Sequence, residues 1–466
     1  MRRRTRYEQG QASMEYTSVM VVAAVLIIAV VLAFSGAAFG PMLKQTLCRL
    51  SSSLGSSSMG CTSDGRAIDY QPTLDKCLVH QREETANGEV KILFFTIGDN
   101  YTFKETHFKD GHIELTYVGG SKVGVEGGLG AEIRAGNFKL GAKADASADL
   151  GLKVGDTYVL KDEQELKDLR DSIDQYQAAM IAARYSQGPI FSWPDEPRPP
   201  DKTTATVEVN AGAEGTLGLG IKQKNAGKHA KDPYYDPNFN VKLGVDLSSG
   251  STVTNDHKTG TQTYTYSLNV TGNAEENQVV QGQKNSKLYG GTVALTYDKD
   301  GKLVGMTTTT IRETTTTDKQ GGKTPFPGSE KANAAIKNGE SVYQTDAVYL
   351  DVTDANRAVV EEAIGGWAGT DPILFDAMTG SVLPSSVNGK SNDLQRLLYS
   401  EGKGLTQYYT TTSDGGGFGA EAKVGIQLGF NAEWANKETN LIDATYAGPP
   451  GPDGTRSTVP FAECAR

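Results

Sequence analysis

The sequence SKVGVEGGLGAEIRAGNFKLGAKADASADLGLKV, from Ser121 to Val154, alternates between apolar and polar residues over almost its whole length. Apolar residues occupy odd positions up to Ala135, and after the pair Gly136-Asn137 they occupy even positions from Phe138 onwards. Alternation with a period of two is typical of strands that bury one face, and Gly-Asn favours a tight turn. The stretch therefore predicts a long amphipathic β-hairpin, with arms on the order of 50 Å at ~3.3 Å per residue.

Other parts of the chain carry weaker signals of the same kind. Period-two alternation predicts further strands at residues 206–221, 240–247, 261–270, 291–297, 303–317 and 418–434. Tight turns are expected at Asp110-Gly111, inside a hairpin over residues 101–118, and at residues 299–301. Apolar residues at helical spacing predict helices over residues 162–185, 331–337, 353–365 and 392–400. The expected fold is mainly β (β-rich α+β): an ectodomain of long amphipathic antiparallel strands with helical insertions, on one N-terminal transmembrane helix.

Composition shifts and breaker residues divide the chain into segments. These are a basic leader (1–16), a transmembrane helix (17–39), a Ser/Gly/Cys stalk (40–85), β-hairpins plus a helix (86–188), a Pro-rich linker (189–201), a β-rich region (202–330), a helical and loop insertion (331–405), a region of long strand (406–440) and a C-terminal tail (441–466).

The transmembrane prediction depends on residues 17–39, which contain no Asp, Glu, Lys, Arg or His. A helix over this range would rise roughly 35 Å at ~1.5 Å per residue, enough to cross a bilayer core. Four arginines among residues 2–6 should remain cytoplasmic by the positive-inside rule. We therefore expect a single-pass cell-membrane protein with a cytoplasmic N-terminus and an extracellular ectodomain, on a bacterial surface of the Gram-positive type.

The residues before this span resemble a type IV prepilin leader, in particular that of the tight-adherence (Flp-type) pilins and pseudopilins. The shared pattern is a Gly, four residues, then Glu-Tyr and a hydrophobic helix, and it matches Gly10, Glu15 and Tyr16. The resemblance implies cleavage after Gly10 by a prepilin peptidase, so that Gln11 becomes the N-terminus and Glu15 neutralises a neighbouring subunit's terminal amine. It covers about the first 40 residues. The alternative is an uncleaved signal anchor with Glu15 at the headgroup level.

The chain has four cysteines, Cys48, Cys61, Cys77 and Cys464, all beyond the predicted span. An even number in an oxidising compartment favours two disulfides, and the spacing matches no zinc pattern. If all four pair, one bridge must join the C-terminal tail to the stalk, although the sequence leaves the pairing open. The net charge of −10 argues against nucleic acid as a partner.

Three motifs resemble the beginnings of functional sites but lack essential residues. Gly321-Gly322-Lys323-Thr324 is similar to the end of a phosphate-binding loop, yet position 317 is not glycine and a proline at 325 blocks the helix start. Asp298-Lys299-Asp300-Gly301 lacks the distal glutamate of a calcium loop and fits a hairpin turn. His107 and His112 flank a turn with no evident third metal ligand. We therefore expect no catalytic, cofactor or metal site and no enzymatic activity.

These observations predict a non-catalytic surface protein that is structural or adhesive, or part of a pilus- or secretion-type assembly. Its expected partners are the membrane, a prepilin peptidase and pilus-like assembly subunits, with a homo-oligomer as a further candidate assembly. The alternative is a pore-forming or membrane-remodelling β-protein that uses the long amphipathic hairpins. The apolar face of residues 138–154 is mostly alanine in its middle, which favours packing against another layer over lipid contact.

Overall fold

A computed structural model describes residues 68–87, 91–92, 95–96, 100–124, 131–135, 138–144, 149–185, 194–209, 215–219, 247–270, 286–314, 326, 328–338, 342–366, 383, 386–388, 391–413, 437–451 and 455–465. The chain divides into two compact units, Met1–Ile68 and Asp69–Arg466, and the fold described below is that of the second. Several predictions lie outside the described residues: the leader with Gly10, Gln11, Glu15 and Tyr16, the membrane span, Cys48, Cys61, the motif at 321–324, and the strand regions 240–246 and 418–434.

Strands dominate the described part of the chain. They are β1 (Leu78–Asn87), β2 (Lys91–Ile92), β3 (Phe95–Thr96), β4 (Asn100–Phe108), β5 (Ile113–Gly124), β6 (Ala131–Ala135), β7 (Phe138–Ala144), β8 (Asp149–Leu160), β9 (Lys202–Val209), β10 (Gly215–Leu219), β11 (Leu247–Asp256), β12 (Gln262–Val270), β13 (Ser286–Tyr297), β14 (Leu303–Thr314), β15 (Val342–Asp351), β16 (Lys403–Ser413), β17 (Lys437–Pro450) and β18 (Arg456–Pro460).

The helices are fewer. They are α1 (Glu163–Tyr185), α2 (Glu330–Lys337), α3 (Arg357–Gly366) and α4 (Asp393–Glu401), with a short 3-10 helix at Leu74–Lys76. Among the described helices, none combines the length and the apolar character needed to cross a lipid bilayer. The β-rich fold class is therefore confirmed for the described part of the chain.

Twelve strands form a closed antiparallel ring. Their order is β1, β4, β5, β8, β9, β11, β12, β13, β14, β15, β16 and β17, and β17 pairs back with β1, where Asn440 lies opposite His80. β18 pairs with the distal part of β17, and β6, β7 and β10 form a separate three-stranded sheet. Closure of the ring pairs both edges of the twelve strands, so no long unpaired edge remains among them.

One face of the ring carries the helices. Leu166, Leu169 and Ile173 of α1 pack in one cluster with the sheet residues Phe103, Ile113, Leu115, Tyr117, Tyr158 and Leu160. The opposite side of α1 is exposed to solvent, with the Lys167 side chain 72% exposed. A helix enclosed by twelve strands could not present such a surface. The helix-bearing face is therefore the outer face, and the other is the inner face.

The handedness of the sheet gives the same assignment. In a closed sheet all strands tilt relative to the barrel axis in the one sense that their right-handed twist sets. The strand register then shows whether the order β1, β4, β5 runs clockwise or anticlockwise around that axis. Hydrogen bonds beside two turns show which residues direct their backbone groups towards the next strand. The amide of Phe108 donates to the carbonyl of His112 (3.0 Å), and the amide of Asp256 donates to the carbonyl of Thr261 (2.9 Å). For L-residues in this register, Thr106 and Thr254 point into the ring.

The predicted hairpins are confirmed where they are described, with different strand lengths. Ile133 pairs with Leu140 and Ala131 with Ala142, so the phase change across residues 136–137 does bring odd and even apolar positions opposite each other. Each arm of the predicted long hairpin is divided into two strands, however, because β5 pairs with β8 and β6 pairs with β7. The structure therefore has a short hairpin, β6–β7, inserted between the paired strands β5 and β8; we call these two the nested hairpins. The turns at Asp110-Gly111 and residues 299–301 are confirmed, with φ of 96° at Gly111 and 78° at Gly301.

Candidate functional site: the inner face of the closed sheet

Five consecutive strands, β9 and β11 to β14, present a hydroxyl-rich surface to the interior. Their pairing aligns these residues in rows: Thr204, Thr254, Thr263 and Thr296 form one row across four strands. We call this surface the threonine wall, and its members are Thr204, Thr206, Thr252, Thr254, Thr263, Thr265, Ser267, Thr292, Thr296, Thr307 and Thr309. Threonine suits this position because its β-branched side chain favours strands and its hydroxyl both donates and accepts hydrogen bonds.

Neighbouring hydroxyls in the wall bond to one another across the strands. The Oγ1 atoms of Thr206 and Thr252 are 2.9 Å apart, and those of Thr263 and Thr296 are 3.1 Å apart. Cross-strand Thr pairs of this kind contribute roughly 0.2–1 kcal/mol each. The hydroxyls of these pairs therefore satisfy one another within the wall.

Exposure falls along the wall. Thr204, Thr254, Thr263 and Thr296 are partly exposed, whereas Ser267, Thr292 and Thr309, farther along the strands, are only 3–4% exposed. The interior is accessible near the first row and closed to solvent near the last.

The other half of the ring supplies apolar inner-face residues. Leu78, Ile311, Tyr343 and Tyr409 form a buried cluster, against which Phe108 and Leu441 pack. We call these six residues the inner apolar cluster. They come from β1, β4 and β14 to β17, which are consecutive around the ring. Tyr409 is fully buried, and burial raises the pKa of its hydroxyl well above the ordinary value.

The two ends of this unit meet beside the inner apolar cluster. A disulfide joins Cys77 to Cys464 with a Cα–Cα distance of 5.6 Å, and both residues are fully buried. They cluster with Leu405, Ala444 and Phe461, and the amide of Phe461 donates to the carbonyl of Ala444 (2.8 Å). We call residues 69–77 and 461–465 the terminal clamp. The predicted bridge between tail and stalk is thus present, with Cys77 as the stalk partner.

Arg456 fastens the terminal clamp to the rim of the ring. Its guanidinium donates to four backbone carbonyls, those of Tyr399, Gly402, Ala447 and Gly448, at 2.7–3.1 Å. It also lies over the ring of Tyr70, 4.6 Å from the centroid. Burial lowers the pKa of Arg456 to about 10, although the nearby tyrosine hydroxyls oppose that shift.

The strand register also assigns the positions of β8 and β9 that lie beyond the threonine wall, towards the nested hairpins, to the inner or the outer face. Positions on the outer-face register of β8 and β9 are apolar, with Leu150 opposite Val209 and Leu152 opposite Val207. Positions on the inner-face register of β8 are Gly151 and Lys153. On β8 and β9 the register therefore alternates apolar-out and polar-in at this end, whereas the paired outer-face positions on β5 and β11 include Ser121, Ser249 and Ser251. α1 covers the opposite end of β5 and β8.

A fully buried carboxyl group lies on the outer face between these two ends. Asp156 on β8 is 0% exposed, and neither of its carboxyl oxygens has a hydrogen-bond partner in the described structure. Burial raises the pKa of Asp156 to about 7, so near neutral pH the group is partly protonated.

A cluster of charged side chains on the outer face connects α1 to the sheet. Glu105 pairs with Arg170 of α1 and accepts a hydrogen bond from His107 Nε2 at 2.6 Å. The hydrogen bond from His107 and the Arg170 charge hold the pKa of Glu105 below its usual range. The His107 Nδ1 atom is 3.4 Å from a carboxylate oxygen of Glu163. These contacts explain His107 as part of a helix-docking network.

The structure places the other sequence candidates in turns. The His112 ring bonds to the Asp110 carboxylate (2.5 Å) and stacks on Phe108. Asp298 Oδ1 accepts from the amides of Asp300 and Lys302, both at 2.9 Å, as expected for a hairpin turn. Within the described ranges, no group of three or more His, Cys, Asp or Glu side chains is placed to hold a metal ion.

Sequence reasoning did not find the threonine wall or the inner apolar cluster. The signal was present in β12, where Thr263 and Thr265 alternate with tyrosines, and in β14, which contains the run Thr307–Thr310. Comparison with known protein families, curated proteins and solved structures finds no match for this chain.

Proposed function

We propose that the protein is a pore-forming or membrane-remodelling β-protein whose closed sheet encloses a hydroxyl-lined path. The observation that carries the proposal is the closure of twelve strands around an inner face that includes the threonine wall, with apolar outer positions on β8 and β9 towards the hairpins. About eight strands give an interior filled by the wall's own side chains, whereas about 16–18 leave an aqueous channel. Twelve strands lie between these limits, so such an interior can be closed by additional packing and opened by its removal.

The two ends of the outer face differ in a way that supports the same proposal. α1 covers the outer face at the Ile113 and Leu160 ends of β5 and β8, and this end suits an aqueous environment. At the Leu150 and Leu152 end, β8 and β9 have apolar outer positions, as in strands that face lipid. On this proposal the hairpin end enters the bilayer and the helix-covered end remains outside it.

Conductance of planar bilayers containing the full-length protein tests the proposal. We expect discrete conductance steps, which Leu152→Lys abolishes because a charge at a lipid-facing position costs about 2–4 kcal/mol near the bilayer midplane. Gly151→Lys, one residue away at an inner position, is the matched control and should preserve the steps. The proposal would be overturned if both variants lost conductance equally, or if neither the unmodified protein nor any variant conducted.

Membrane tethering and export remain proposals that rest on the leader resemblance at Gly10, Glu15 and Tyr16. On this view the protein is carried to the cell surface by its N-terminal segment, without a catalytic role, and assembles with pilus-like subunits or with copies of itself. The buried disulfide between Cys77 and Cys464 supports an oxidising compartment. Mass spectrometry of the N-terminal peptide from membrane fractions tests processing: a start at Gln11 supports the leader, and an intact arginine-rich N-terminus contradicts it.

A further inference from the structure

We propose that the inner apolar cluster is the gate of the pore and that the terminal clamp holds this gate shut. The inference rests on the proposed pore function, and it assigns the residues that close the path. The cluster consists of Leu78, Phe108, Ile311, Tyr343, Tyr409 and Leu441, and the buried polar side chains of Gln81, Thr345 and Gln407 lie on the same inner face.

The cluster covers a continuous part of the inner face. Ile311 lies on β14 and Leu78 on β1, four strands apart in a ring of twelve. Each step around such a ring turns by about 30°, so the two strands lie about 120° apart. Tyr343 and Tyr409, on strands between them, link Ile311 to Leu78 in one cluster. All four side chains are at most 2% exposed, so solvent does not reach the inner face along this part of the ring.

The chemistry of the cluster contrasts with the surface it faces. The threonine wall can replace part of the hydration of a passing ion or polar solute with hydroxyl groups. An apolar constriction offers no such replacement and gates by dewetting. The steep burial along the wall, from partly exposed Thr263 to Thr292 at 3%, fits a path that is open at the mouth and closed within. The solute class that fits this path is small and hydrated, selected by size more than by charge.

The terminal clamp acts on the cluster through Leu78. The carbonyl of Leu78 accepts hydrogen bonds from the Tyr409 hydroxyl (3.2 Å) and from Gln407 Nε2 (3.3 Å). Leu78 directly follows Cys77, whose disulfide to Cys464 fixes the chain at this point. Gln407 Nε2 also lies 3.9 Å from the Cys464 sulfur. Breaking the disulfide therefore frees the backbone that holds Leu78 and Tyr409 together.

Single-channel recording of the full-length protein tests the gate with two independent changes. Ile311→Thr places a hydroxyl in the cluster, and the double change Cys77→Ser with Cys464→Ser releases the terminal clamp. Val293→Thr is the matched control, because it buries a hydroxyl at an outer-face position of the neighbouring strand β13. We expect either change in the gate to raise the open fraction by about tenfold, or roughly 1.4 kcal/mol in the gating equilibrium, with the control unchanged.

The outcomes separate the gate from the pore. If the unmodified protein conducts and neither Ile311→Thr nor the double cysteine variant opens more often, the gate is wrong and the pore stands. If Val293→Thr opens as often as Ile311→Thr, the effect is general loosening and the gate is also wrong. If no variant conducts while circular dichroism shows intact β-structure, the pore itself is overturned. Should the double cysteine variant fail to fold, Ile311→Thr decides alone.

Discussion

Asp156 shows what an unpaired buried carboxyl group costs. Its side chain is 0% exposed on the outer face, in register with Tyr117 on β5 and Thr203 on β9. A buried carboxylate without hydrogen bonds or a charge partner is strongly disfavoured, so the group retains its proton to a higher pH. This is why the pKa of Asp156 rises from an ordinary 3.8 to about 7. The stability of the fold should therefore depend on pH through this residue.

The sign follows from the two pKa values. The unfolded chain loses the Asp156 proton near pH 3.8, and the folded chain keeps it until about pH 7. The folded state is thus favoured at low pH, and this contribution is lost as the pH rises from about 4 to 7, at ~1.4 kcal/mol per pKa unit. We expect Asp156→Asn to stabilise the protein at pH 8 relative to the unmodified chain and to change little at pH 4.5.

Urea denaturation of both proteins at the two pH values measures this difference. Exposed Asp174 on α1 provides the matched control, because Asp174→Asn changes the same chemical group without changing a buried site. A stability difference for Asp156→Asn that is equal at pH 4.5 and pH 8 would show that the carboxyl group titrates normally.

The docking of α1 on the outer face depends on a few apolar contacts. Leu169 is 6% exposed and packs with Leu166 and Ile173 against the aromatic residues of β4, β5 and β8. Arg170 adds an ion pair with Glu105 and lies over the Phe103 ring, 4.2 Å from its centroid. Because the apolar contacts are buried and the ion pair is partly exposed, the former should carry most of the docking energy.

Leu169→Ala tests this division. Removing a buried leucine side chain costs about 2–5 kcal/mol, whereas Lys167→Ala on the exposed side of α1 should cost little. Hydrogen exchange of the α1 amides measures both variants, and we expect faster exchange across α1 for Leu169→Ala alone. Similar exchange in the two variants would mean that α1 is held by other contacts.

Elements with a strong local signal could be predicted from the sequence, and elements defined by partners could not. α1, β12 and the turn at Gly111 were predicted close to their observed bounds, because periodicity and glycine at positive φ are local properties. α3 begins at Arg357, a few residues later than expected, because the Asn356 side chain accepts from the Thr353 amide and holds residues 353–356 in a turn.

The inner surfaces escaped prediction for a related reason. β15 does not alternate simply between apolar and polar residues, because it has buried apolar residues on both faces. Tyr343 and Ala347 lie on the inner face, and Val342 and Val348 lie on the outer face. A strand covered on both sides loses the period-two signal by which a strand is predicted from sequence. The threonine wall lacked a signal of another kind, because alternating threonine reads equally as an exposed polar face.

Closure of the ring is a property of the whole unit. β1 and β17 pair although about 360 residues separate His80 from Asn440, and no local pattern can encode such a contact. Bringing them together carries a loop-closure entropy that grows slowly with loop length. The disulfide between Cys77 and Cys464 spans 387 residues and closes almost the same loop. It therefore constrains the unfolded chain at the point where the ring must close.

The disulfide should consequently control the stability of the whole ring and not only that of the terminal clamp. Loss of a native disulfide commonly costs about 2–5 kcal/mol, and long loops lie towards the upper part of that range in the chain-entropy model. We expect the double variant Cys77→Ser with Cys464→Ser to melt at a lower temperature in one cooperative transition, because β1 and β17 are then joined by hydrogen bonds alone. Thermal unfolding followed by circular dichroism, with and without dithiothreitol in the unmodified protein, measures this effect. Reductant should lower the melting temperature of the unmodified protein towards that of the double variant and leave the variant's unchanged. A separate early transition would instead mean that the terminal clamp unfolds alone and that the twelve strands remain closed without it.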